Sequence, residues 1–342
     1  MEKFNKYKNK GLSGLCNVGN SCYLNTCMQI LSHTYELKDV ISDNEILKKI
    51  NNNIDSQLLI EWKELNDLMW KQNCTISPNR FINCVRKTAN EKSIEMFAGY
   101  QQNDCQEFLL FIIECFHNSL KKSVDMNIVG DSKSKIDQTA TSCYKMMKKM
   151  FKNEYSKIIE LFYGIHLYQI KDTENNVLKN IPEPFHVLSL SIPDNINNIN
   201  IYNCIDLYCK DETLDGNNKW YNEDTKQKQI VKKNLVFWSL PNILIIDLKR
   251  WNNNLLKKKN NITSEIYNLD LCKYVIGYNK DSYIYDLYAV SNHTGCVSGG
   301  HYYCNILNAN NKWYNFNDTM IREIPISKII NDDTYCLFYR KK

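Results

Sequence analysis

No Cys-x-x-Cys pair occurs anywhere in this chain, although it holds 14 cysteines. That absence removes the ligand spacing on which structural zinc sites are built, so no metal is expected. Long apolar runs are missing too: the longest, Phe108 to Ile113, is six residues, far short of a membrane span. The opening residues Met1-Glu2-Lys3-Phe4-Asn5-Lys6-Tyr7-Lys8 hold no apolar stretch suited to a secretory signal. The cysteines are therefore expected to be reduced thiols inside a cell, in cytoplasm or nucleus, and the lysine run 257–259 is too short to point to the nucleus. Charge imbalance is slight, at a net +5, and the lysines lie among asparagine runs at 51–53, 195–200 and 257–261 that read as solvated loops. A basic stripe interleaved with aromatics is absent, which argues against a nucleic-acid partner.

What is present suits one large catalytic-sized domain: 342 residues, 43% hydrophobic and 24% charged, with no internal repeat. Its most informative stretch is Gly14-Leu15-Cys16-Asn17-Val18-Gly19-Asn20-Ser21-Cys22-Tyr23-Leu24-Asn25. Leu24, Cys27, Met28 and Leu31 recur at three- and four-residue spacing, which predicts an amphipathic helix from Cys22 onward, capped by Asn20 or Ser21. A thiol in that first turn faces unpaired N–H groups and the positive end of the helix dipole, which can draw a cysteine from about 8.5 down to roughly 3.5–7.5. Cys22 is thus a candidate nucleophile. Asn17, on the turn before the helix, is placed to donate its side-chain amide to an oxyanion, with first-turn N–H groups as a second donor. Gly14 and Gly19 are expected to let that turn bend tightly.

A nucleophilic cysteine needs a base, and one of the six histidines stands out. Tyr285-Asp286-Leu287-Tyr288-Ala289-Val290 alternates like a strand, a glycine-rich loop runs from Asn292 to Gly300, and His301-Tyr302-Tyr303-Cys304-Asn305-Ile306-Leu307 resumes as a second strand. Lys312-Trp313-Tyr314-Asn315-Phe316 reads as a third, ending in Asn317 and Asp318, either of which is placed to orient the imidazole of His301. Elsewhere Phe108, Phe111, Ile112 and Cys115 share one face, which puts Asp104 at the N-terminal turn of a core helix, where an aspartate is ordinarily a cap.

Taken together, these blocks resemble the ubiquitin-specific proteases, papain-like cysteine deubiquitinases built of thumb, palm and fingers. The resemblance rests on Gly14 to Leu31, on Gln101-Gln102-Asn103-Asp104-Cys105-Gln106-Glu107-Phe108-Leu109, on Leu240-Pro241-Asn242-Ile243-Leu244-Ile245-Ile246-Asp247-Leu248-Lys249-Arg250-Trp251, and on Tyr285 to Asp318, in the family's order. It implies an α+β fold over residues 11–342, with a helical thumb to about 157, fingers from about 161 to 236, a palm sheet from about 240, and a short extension at 1–10. It implies Cys22 as nucleophile, His301 as base, Asn17 as oxyanion donor and Asn317 as third triad member, with Asp318 sharing the polarising work. Asp104 would grip the basic ubiquitin tail, with Gln101, Gln102 and Glu107 in the same cleft. Gly299, Gly300 and Tyr302 would line a channel narrow enough for a Gly-Gly terminus, flanked by the loop 295–300 and the Asn/Lys-rich stretch after Trp251.

The implied reaction is hydrolysis after the terminal glycine of ubiquitin, through a Cys22 thioester and without a cofactor. Partners would be ubiquitin and ubiquitinated proteins, met by a monomer. Two alternatives stay open: another Gly-Gly-ended modifier, or a ubiquitin-binding pseudoenzyme. The chain departs from many relatives at the fingertips, where Lys171 to Asn175 and Asn222 to Thr225 replace paired cysteines, so the fingers are expected to stand without metal.

Overall fold

The computed structural model describes residues 2–342 apart from Asn195, Asn197, Asn253, Val297 and Ser298. Its first half is helical. A short strand β1 (Gly14–Leu15) leads into α1 (Cys22–Ser32), then α2 (Tyr35–Ile41), α3 (Asn44–Leu47), α4 (Ile54–Lys71), β2 (Thr75–Ile76), α5 (Asn79–Glu91), α6 (Cys105–Leu120), α7 (Lys135–Phe151) and α8 (Lys157–Phe162). Caps fix several starts: Asn53 accepts from Ser56 N–H before α4, Asp104 from Gln106 and Glu107 N–H before α6, and Ser134 makes a reciprocal capping box with Asp137 on α7. All eleven residues of α1 are buried, so this helix is the axle of the lobe.

The second half is mostly sheet. It comprises β3 (Gly164–Lys171), β4 (Val177–Phe185), β5 (Leu188–Ser191), α9 (Ile201–Tyr208), β6 (Glu212–Leu214), β7 (Trp220–Asn222), β8 (Gln227–Gln229), β9 (Val231–Ser239) and β10 (Ile243–Lys249). There follow β11 (Leu269–Asp270), β12 (Ile284–Cys296), β13 (Gly299–Leu307), β14 (Trp313–Asn317), β15 (Met320–Ile324) and β16 (Thr334–Lys341). The large sheet runs β15-β14-β13-β12-β16-β10-β5, with β11 on β12; the smaller runs β4-β3-β9-β6, and β7 and β8 form a separate hairpin.

Alternation explains why the large sheet is buried on both faces. Along β10, Ile243 and Ile245 join α1, α4 and α6 in the main core, while Leu244, Ile246 and Leu248 face a second core shared with α9. On β16, Phe338 faces the helices and Leu337 and Tyr339 face away. The sheet therefore holds the helical lobe on one side, with α1 packed directly against β13.

Two expectations change. Residues Leu188–Ser191, inside the stretch expected to form fingers, pair in parallel with β10 and so extend the large sheet. Most of the expected glycine-rich loop is strand, because β12 continues to Cys296 and β13 begins at Gly299; its tip at Val297 and Ser298 lies outside the described residues.

Candidate active site

The turn before α1 is set by its backbone. Gly19 and Asn20 are both left-handed, at φ 64° and 61°, a conformation glycine and asparagine tolerate best. Asn17 Oδ1 accepts from Ser21 N–H at 2.9 Å, so Asn17 caps the turn, whereas the side chain of the formal cap Ser21 makes no capping bond and its hydroxyl accepts from Val18 N–H. Asn20, the other expected cap, instead donates to the Tyr100 carbonyl. Gly14 serves close approach rather than bending: a Cβ there would lie 2.5 Å from the Thr319 carbonyl oxygen.

His301 is the third residue of β13, which begins two residues earlier than the sequence suggests, and Asn317 closes β14; His301 Nε2–H donates to Asn317 Oδ1 over 2.7 Å. That bond assigns the proton to Nε2 and leaves Nδ1 as the basic nitrogen. Tyr302, the next residue, directs its backbone N–H at the Cys22 sulfur, which brings the start of α1 against the start of β13. The Cys22 thiol makes no hydrogen bond to His301 among the described residues.

Asp318 does something other than expected. It occupies a two-residue hairpin loop at φ 49°, and its carboxylate turns toward α1, accepting from Asn25 Nδ2 at 2.8 Å and from Asn17 Nδ2 at 3.1 Å. Among the described residues it is Asn317, not Asp318, that bonds the imidazole. The Asn17 amide, expected to be free for an oxyanion, is therefore held by Asp318, and Asn25 binds the Cys16 carbonyl as well. Asn25 was not singled out from sequence; the available signal was a polar residue, buried in the structure, within an apolar helical pattern.

The Cys22 thiol is also shifted opposite to expectation. Burial pushes it up, the N–H groups of Tyr302 and Tyr23 offset part of that, and the Asp318 carboxylate adds to the rise. The two N–H groups only partly offset burial and the carboxylate, so the thiol form is favoured.

On the other side of the cleft, Asp104 is a cap and more. Its Oδ1 accepts from Gln106 and Glu107 N–H, while Oδ2 accepts from the Tyr302 and Tyr335 hydroxyls. Both phenols are pushed up, chiefly by burial and next by Asp104, and stay neutral donors. Gln102 Oε1 accepts from Gly300 N–H at 3.0 Å. Gly300 is pressed against His293, where a Cβ would lie 2.2 Å from Nε2, whereas Gly299 has open space. His293 itself, overlooked in the sequence, is 5% exposed, meets the Tyr302 ring in a tilted contact at 4.5 Å and is pushed down to about 4 by burial. Lys257, from the stretch after Trp251, donates to the His293 carbonyl, tying the two flanking segments together. At the fingertips Asp172 closes the β3–β4 turn by accepting from Glu174 and Asn176 N–H, and among the described residues no group of three or more His, Cys, Asp or Glu is arranged for a metal.

A helix-start cysteine packed on a sheet that carries a bonded His–Asn pair is the architecture of a papain-like cysteine hydrolase. The model of the ubiquitin carboxyl-terminal hydrolase family matches residues 13–339, and the chain belongs to that family. Human ubiquitin carboxyl-terminal hydrolase 2 is 30% identical over 349 residues, covering 96% of this chain and 55% of the human protein. The probable ubiquitin carboxyl-terminal hydrolase R319 of Acanthamoeba polyphaga mimivirus is 27% identical, covering 96% of this chain and 90% of the viral one. The chain spans little more than half the length of the bovine, human and rat relatives. Among solved structures, the SAGA DUB module of Ubp8, Sgf11, Sus1 and Sgf73 bound to monoubiquitin matches with a TM-score of 0.75 at 22% identity, covering 98% of this chain and 70% of the matched chain. The fold is thus that of these hydrolases.

Proposed function

We propose that the chain is a deubiquitinating cysteine protease that hydrolyses the isopeptide or peptide bond after the C-terminal glycine of ubiquitin. One observation carries this reading: residues 279 positions apart, Cys22 at the start of α1 and His301 near the start of β13, are brought to adjoining elements, with His301 oriented by Asn317 and its neighbour's N–H on the Cys22 sulfur. Cys22 passes its proton to His301 Nδ1 as the thiolate attacks the carbonyl carbon. The oxyanion is met by the Asn17 amide, oriented by Asp318, and by N–H groups at the start of α1. His301 then protonates the departing amine, leaving a thioester on Cys22. Water, deprotonated by His301, attacks the thioester, and free ubiquitin leaves with the thiol restored.

Asp104, Gln102, Gly299, Gly300 and Tyr302 form the tail channel, and Asp104 supplies the negative charge for a basic tail. The enzyme works as a monomer inside the cell and needs no cofactor. A ubiquitin probe with an electrophilic C-terminus is expected to label the wild type and not Cys22→Ala. Labelling that persists in the variant would overturn the assignment, and tight ubiquitin binding without cleavage would make the chain a pseudoenzyme.

A further inference from the structure

Strand β13 has an unusual outer edge. β14 pairs with it only from Cys304 onward, so, among the described residues, positions 299–303 have β12 on one side and no strand on the other. Two N–H groups on that free edge point into the cleft. Tyr302 N–H meets the Cys22 sulfur, and Gly300 N–H meets Gln102 Oε1 at 3.0 Å. Successive same-side N–H groups on a strand are about 6.7 Å apart, the span of two residues of an extended peptide. A tail lying in the cleft as an added strand therefore presents a main-chain carbonyl to Gly300 N–H about two residues before the carbon under attack. In the resting molecule a side-chain amide oxygen fills that position.

We propose that Gln102 is a built-in stand-in for the substrate main chain, a latch across the tail channel that the incoming tail must displace from Gly300. This rests on the deubiquitinase reading and adds a competitive element to it. Gln102 comes from the helical lobe just before Asp104, and Gly300 from the sheet just before His301, so their bond bridges the two walls of the cleft. Gly300 is crowded on the side where a Cβ would point, with His293 Nε2 and the Thr294 carbonyl 2.2 and 2.5 Å from that position. Gln102 is exposed and is the partner free to swing away. Asp104 needs no such release, since its oxygens are already held by the start of α6 and by Tyr302 and Tyr335.

The exchange of one hydrogen bond for another predicts a modest effect on binding and little on chemistry. Gln102→Leu keeps the bulk and removes the acceptor, and is expected to lower KM for a ubiquitin C-terminal fluorogenic amide roughly three- to tenfold, with kcat within about twofold. Gln102→Glu places a charged acceptor on the same N–H and is expected to raise KM by a similar factor. The same order should appear in ubiquitin affinity measured on the Cys22→Ala background, where no turnover occurs. An unchanged or raised KM in Gln102→Leu, with wild type active, overturns the latch and makes Gln102 a tail-holding residue or a bystander. If wild type releases no fluorophore but the affinities follow the expected order, the peptidase reading falls and the latch stands. If ubiquitin does not bind at all, both fall.

Discussion

The state of the Cys22 thiol before substrate arrives can be read out by alkylation. Two backbone N–H groups favour the thiolate, but burial outweighs them and the Asp318 carboxylate adds to the opposition, so the thiol lies above its ordinary value. At neutral pH the thiol form therefore predominates. The rate of Cys22 alkylation by a small neutral reagent, followed by mass spectrometry of its peptide, should therefore still be climbing steeply between about pH 7 and 8. Cys22→Ala supplies the blank against the other thiols. Asp318→Asn removes one of the raising influences and should move the limb to lower pH. The linked effect on folding has a definite sign: because the folded thiol is raised above its unfolded value, its contribution to stability is complete below that unfolded value and is lost as pH rises through the folded one. A plateau reached below about pH 7 would refute the reasoning, since it would mean that Cys22 and His301 rest as an ion pair.

Other outcomes follow from single contacts. Asn317→Ala removes the acceptor that holds His301 Nε2 at 2.7 Å and should lower kcat about tenfold, far less than His301→Ala, with Asn317→Asp recovering most of the loss; wild-type kcat in Asn317→Ala would sink the orienting role. Asp318→Ala leaves the buried Asn25 amide without its closest partner and should cost about 1–3 kcal/mol in urea unfolding while also slowing turnover through Asn17; unaltered stability would disprove the link. Gly300→Ala drives a methyl into His293 and the Thr294 carbonyl and should abolish probe labelling while circular dichroism still reports a folded chain; near-normal labelling would show that this strand edge yields. Dialysis against a strong chelator should leave the thermal midpoint in place, and a fall of several degrees would reveal a structural metal.

Much of the site could be read locally. Apolar spacing after Cys22 and after Asp104 marked two helices whose starts lie at those residues, and the alternation around His301 marked its strand. These signals survive because caps, periodicity and hairpins depend on neighbours within a few residues. The third-strand reading likewise held, and it left Asn317 and Asp318 as rivals for the imidazole that only side-chain direction could separate. The left-handed backbone at Asp318 turns its carboxylate away toward Asn25 and Asn17. Strand β5 was missed as part of the large sheet because its parallel partner, β10, lies more than fifty residues downstream.

From sequence alone came the identity of the reactive groups and the elements that carry them, since spacing along the chain already encodes which residues begin a helix or a strand. Tertiary structure decided what those groups experience. The burial that raises Cys22, the hand-off of Asp318 to two asparagines and the closure of Gly300 by Gln102 all arise where segments distant in the chain exclude water together. Desolvation and hydrogen-bond direction depend on that packing, and no local pattern of residues specifies them.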